Sequence, residues 1–78
     1  MDISKLESFL ALAKTQHFAK AADKLYISQP ALSKRIKALE DELGVPLFNR
    51  MGNHTFLTIH GEAFRPFAEN MVATCNSA

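Results

Sequence analysis

The residues best suited to chemistry in this chain cluster between Ser28 and Lys37, in the run SQPALSKRIK. Their chemistry is recognition, not bond-making. The Gln29 amide can pair with N6 and N7 of adenine, or equally bond a phosphate. Pro30 offers an apolar edge to a thymine methyl; it also suits a helix start, and both roles can hold. Ser33 can donate to a phosphate or a base. Lys34 is the best single candidate for a specific contact, to guanine or to a nearby phosphate. Lys37 suits a phosphate and a solvated surface equally well. Ser28 is chiefly a cap, although the helix N-terminus it opens could hold a phosphate. Lys20, upstream, is a further phosphate candidate. Arg35 falls beside an apolar stripe and is given a structural role, pairing with Glu42.

The charge pattern is uneven. From Ser28 to Lys37 there are three bases and no acid, and Glu40, Asp41 and Glu42 follow at once. Only the basic front is expected to approach phosphate, with the acidic rear pointing away. The plainer account has Lys37 pairing with Glu40 and Asp41 along a solvated helix face, and charge alone favours it. A formal net charge of +1 is low for a chain that binds DNA unaided.

The elements that must position these residues follow from apolar spacing. Ile3, Leu6, Phe9, Leu10 and Ala13 recur at helical intervals, which predicts a first helix over about 3–14. Asp2 or Ser4 could cap it, and Ser4 with Glu7 has capping-box spacing. Phe18, Ala21, Ala22 and Leu25 define a short second helix, whose paired alanines let a neighbour come close. Tyr26–Ile27–Ser28 is a tight break with Ile27 as an apolar plug. Leu32, Ile36, Leu39 and Leu43 form one inward stripe of a third helix, capped by Ser28 and stopped by Gly44. Pro30, Lys34 and Lys37 lie roughly opposite.

Leu47–Arg50 and Thr55–Thr58 read as the strands of a hairpin turning at Gly52–Asn53. Three helices and a hairpin make a winged helix-turn-helix, a mainly α fold with the hairpin as wing. Thr58 can cap a fourth helix over about 59–75, with Pro66 inside it and expected to kink it. Phe64, Phe67, Ala68, Met71, Val72 and Cys75 form its apolar stripe. That stripe either meets a twin helix in a homodimer or folds back on the first helix; the dimer is favoured.

Composition bounds the rest. Hydrophobic residues at 47% and charged residues at 22% of 78 positions suit one small globular domain and not a disordered chain. Cys75 is the lone cysteine, so no internal disulfide is possible and a reducing, cytoplasmic setting fits best. The longest N-terminal apolar run, Phe9 to Ala13, is too short for a signal-peptide core or a membrane span. His17, His54 and His60 have no metal-pair spacing and read as exposed or cap-proximal. No nucleophile–base pair, glycine-rich phosphate loop or metal set supports an enzyme, and no cofactor is expected. A helical protein-interaction module without nucleic acid is the remaining alternative.

The run AADKLYISQPALSKRIKALEDELGVPLFNR closely resembles the N-terminal domain of LysR-type bacterial transcriptional regulators. The shared features are Phe18, Ala21–Ala22, Leu25, Ser28 to Ser33, Ile36, Leu39–Glu40, Leu43–Gly44, Leu47–Phe48, Arg50, Leu57–Thr58 and Gly61. The likeness spans Leu6 to about Met71. It implies a sequence-specific DNA-binding domain over 1–58 and the start of a dimerisation linker helix over 59–78. It implies a homodimer on an interrupted inverted repeat in promoter DNA, third helix in the major groove and wing near the minor groove. Tetramers and a small-molecule effector are implied for a longer protein through a C-terminal domain that these residues do not include. Arg50 joins the DNA-facing set on this likeness. The wing departs from the family pattern: Asn53 and His54 stand where basic residues are usual. A weaker wing contribution is therefore expected.

Overall fold

A computed structural model of the chain describes residues 1–76. The first helix, α1, runs Ile3–Thr15, and its cap is Asp2, whose carboxylate accepts from the Lys5 N–H at 3.0 Å. Ser4 is not a second cap; its hydroxyl donates to the same carboxylate at 2.8 Å. The Lys5 backbone N–H and then the Ser4 hydroxyl hold the Asp2 carboxyl below the usual carboxylate range. Gln16 closes α1 in the left-handed region, at φ 59°.

Helix α2 spans Phe18–Leu25 and α3 spans Gln29–Leu43. Tyr26 turns left-handed between them, and Ile27 donates to the Ala22 carbonyl at 3.0 Å while packing on the core. The plug expected at Ile27 is in place. Ala21 and Ala22 are buried, as close helix packing requires. Ser28 caps α3 by accepting from Ala31 N–H at 3.2 Å, Pro30 sits in its first turn, and Gly44 ends it at φ 73°.

Strands β1 (Phe48–Met51) and β2 (His54–Leu57) pair antiparallel, with Arg50 opposite Thr55 and Met51 opposite His54. Each strand is displaced by one residue from the sequence reading. Leu47 belongs to the core, fully buried, and the turn tightens to Gly52–Asn53 alone. Gly52 takes φ 62°, which suits the first position of a two-residue turn.

Helix α4, Ile59–Asn76, begins under Thr58, whose hydroxyl accepts from Gly61 N–H at 3.1 Å and donates to the Pro46 carbonyl at 2.6 Å. Gly61 presses on Leu47 so closely that an added Cβ would collide with the Leu47 carbonyl. Core packing continues past Thr58. Phe9 on α1 lies 5.4 Å from the Phe48 ring and 5.2 Å, edge-on, from Phe64. Ala68 is fully buried, and Phe64, Met71 and Val72 pack on the same core. The expected dimer stripe is thus split. Ala68 is covered by its own chain and cannot meet a twin, whereas Phe67 is 66% exposed and Cys75 is exposed. Phe64, Ala68, Met71 and Val72 of α4 thus share the core built by the preceding helices.

Candidate nucleic-acid interface

The front of α3 presents Ser28, Gln29, Pro30, Lys34 and Lys37 to solvent, with Ser33 half-buried beside them. Lys34 and Lys20 have no carboxylate partner among the described residues. Lys37 pairs with Asp41 at 3.0 Å, one turn along α3, with both side chains well exposed. Such a pair is worth about 0.2–1 kcal/mol and is easily exchanged for another anion.

The wing and α3 share two adjoining depressions. One is lined by Ser33, Lys34 and Lys37 together with Phe18 and Arg50. The other is lined by Gln29, Asn53 and His54, again with Phe18 and Arg50. The fold therefore gathers Gln29, Ser33, Lys34, Lys37, Arg50, Asn53 and His54 onto one face. Ser28, Pro30 and Lys20 lie outside both depressions, and the Ser28 hydroxyl is already engaged as a cap.

Four features of this face have no local signature in the sequence. The Arg50 guanidinium stacks 4.2 Å from the centre of the Phe18 ring. The buried residue Thr55 donates its backbone N–H to the Gln16 carbonyl at 3.0 Å, tying the wing to the α1–α2 corner. Beside it the His54 ring meets His17 edge-on at 5.3 Å. Finally, Glu40 accepts from Leu47 N–H at 2.6 Å and Phe48 N–H at 3.3 Å.

That last contact gives the acidic rear a structural role. Glu40 lines the same depression as Lys34 and Lys37, but its carboxylate is turned onto the base of the wing. Arg35 does have a structural role, but its partner is the Ser8 hydroxyl at 3.4 Å, not Glu42. Glu42 is held instead by Lys5 and by the Met1 ammonium at 2.6 Å, because α1 brings both cations to the rear of α3. Lys5 first, then the Met1 ammonium, draws the Glu42 carboxyl below its ordinary range, and Glu42 in turn raises Lys5. Each acid of the 40–42 run thus has a partner.

The model of the bacterial regulatory helix-turn-helix proteins of the lysR family matches residues 3–62. This chain belongs to the lysR family. The HTH-type transcriptional regulator HdfR of Escherichia coli (strain SMS-3-5 / SECEC) is 45% identical to this lysR-family chain over 78 residues. That match takes in 100% of this chain and 28% of HdfR, so the chain spans under a third of the curated relative's length. Solved structures agree on the fold. The CbnR_DBD–DNA complex matches at TM-score 0.94 and 34% identity, over 99% of this chain and 88% of that one. The complex of BenM_DBD with benA site 1 DNA matches at TM-score 0.92 and 38% identity, over 99% and 90%. Over its described residues the lysR-family chain is a winged helix-turn-helix of four helices and one hairpin.

Proposed function

We propose that this chain is the DNA-binding unit of a transcriptional regulator. It binds double-stranded DNA as a homodimer on an interrupted inverted repeat, with α3 in the major groove and the wing near the adjacent minor groove. The observation that carries the reading is one face on which Lys34 and Arg50 stand between Gln29 and Asn53, without acidic partners among the described residues. At 15 residues α3 is about 22 Å long and 10–12 Å wide, which fits a major groove about 12 Å across. Two similar domains have been solved with DNA, CbnR_DBD and BenM_DBD, and this supports the same partner here.

In this reading Gln29, Pro30, Ser33 and Lys34 face base edges. Ser28, Lys20, Lys37 and Arg50 face phosphates, and Asn53 and His54 lie at the wing tip. Dimerisation runs through the part of α4 its own core leaves open, above all Phe67. A cytoplasmic setting, a tetramer and an effector domain belong to the longer protein and are part of the proposal. No helix among the described residues is long and apolar enough to cross a membrane.

Selection of bound duplexes from a random pool tests the reading. Two half-sites related by a dyad are expected, and a pool that enriches nothing would sink it. Replacing Lys34 and Lys37 together by alanine should weaken binding and flatten its dependence on salt. A protein-interaction module would keep its partner through that change.

A further inference from the structure

Phe18 and Arg50 are the two residues that line both depressions, so they form the seam between α3 and the wing. Phe18 opens α2 and is half-buried against the core, which fixes its ring. Arg50 is exposed, sits opposite Thr55 in the hairpin, and has no carboxylate partner among the described residues. Its guanidinium lies 4.2 Å from the ring centre. Stacking of this kind uses the flat face of the guanidinium and leaves its in-plane N–H groups free. Those N–H groups form the fork that grips a phosphate with two bonds. A long, loose side chain would have to surrender its rotamer freedom on binding, whereas one held over a ring has already surrendered much of it.

We infer that Phe18 is a positioning residue, whose ring presents the Arg50 guanidinium to a backbone phosphate at the seam between α3 and the wing. The inference rests on the DNA-binding reading above. A phosphate contact carries no sequence preference, so its test needs no operator.

The 78-residue chain and its variants are titrated with mixed-sequence duplex DNA over a range of salt, with folding followed by circular dichroism. Arg50→Ala should weaken binding and reduce the slope of log affinity against log salt by about 0.9. Phe18→Leu keeps the apolar anchor but loses the aromatic face; it should weaken binding by about two- to five-fold with the slope unchanged. Phe18→Tyr, which keeps the ring, should bind like the unsubstituted chain. In the Arg50→Ala background Phe18→Leu should cost nothing further, the mark of two residues acting as one. If its cost persists there, or if the tyrosine variant binds as poorly as the leucine variant, Phe18 acts on folding alone and the inference is overturned. Should Phe18→Leu unfold, Arg50→Lys takes its place: it keeps the charge without the flat fork, and undiminished affinity would overturn the inference. An unsubstituted chain that fails to bind any duplex at low salt overturns the DNA-binding reading and this inference together.

Discussion

Lys34 is the residue on which the proposed specificity leans most. It is exposed, carries no ion pair among the described residues, and shares a depression with Ser33 and Arg50. If it meets a guanine edge, Lys34→Ala should cost about 1–3 kcal/mol on the preferred duplex and relax the preference at one position. Equal losses on every duplex would reassign it to a phosphate; the comparison is read from affinities for single-base variants of a selected site. At the wing tip, Asn53→Arg adds a charge beside His54 and should raise affinity, steepening the salt dependence by up to about 0.9. Unchanged affinity at moderate salt would place the tip away from DNA. At this scale the sequence was informative wherever the reason was local. Ser28 caps the helix it was expected to cap, and Gly44 ends it. Arg35 was misassigned because its partner, Ser8, comes from another helix, and no spacing within α3 announces it.

Elements were readable from periodicity, but the joints between them were not. All four helices lie where the apolar spacing put them, to within a residue or so. The hairpin keeps the expected turn, but both strands sit one residue nearer to it, because Leu47, a strand residue by type, is needed in the core. Glu40 holds that joint. It gathers two consecutive N–H groups, those of Leu47 and Phe48, onto a carboxylate of α3. Glu40→Ala strands those donors at the edge of the core and should lower stability by about 1–3 kcal/mol, measured by denaturant unfolding. Glu40→Gln keeps an acceptor oxygen and should lose less. Equal losses for the two would mean that the carboxylate's charge, not an acceptor oxygen alone, holds the joint. The surface stripe on α4 was also only half readable. Helical spacing shows that Phe64, Phe67, Ala68, Met71 and Val72 share a face; it does not show that α1 already occupies part of it.

For the molecule as a whole, acid and association are the two informative perturbations. The Glu42 carboxyl lies below its ordinary value of 4.5 when folded, drawn down by Lys5 and then by the Met1 ammonium. A depressed carboxyl contributes stability that is present above 4.5 and is lost as pH falls through the lower, folded value. Lys5, raised above 10.5, contributes below that value and loses its contribution as pH climbs through the raised one. Glu42→Gln should therefore flatten the fall in thermal stability on the acid side of 4.5, with a smaller companion effect above 10.5. An unchanged acid limb would mean that these exposed pairs are screened away. Association is read separately. Phe67 is 66% exposed, so Phe67→Glu should leave the unfolding midpoint of the monomer nearly unchanged while shifting sedimentation toward monomer. A dimer that survives this change would have to use another surface.

Phe9 gives the domain a mechanical property. Its ring touches Phe64 on α4 and Phe48 at the foot of the wing, and it is itself wholly enclosed. An interior this dense offers no slack for one neighbour to shift while the others stay still. A displacement of α4 would reach the foot of the hairpin through that ring and through the close Gly61–Leu47 contact. Phe9 thus locks α1, α4 and the foot of the wing into one packed unit.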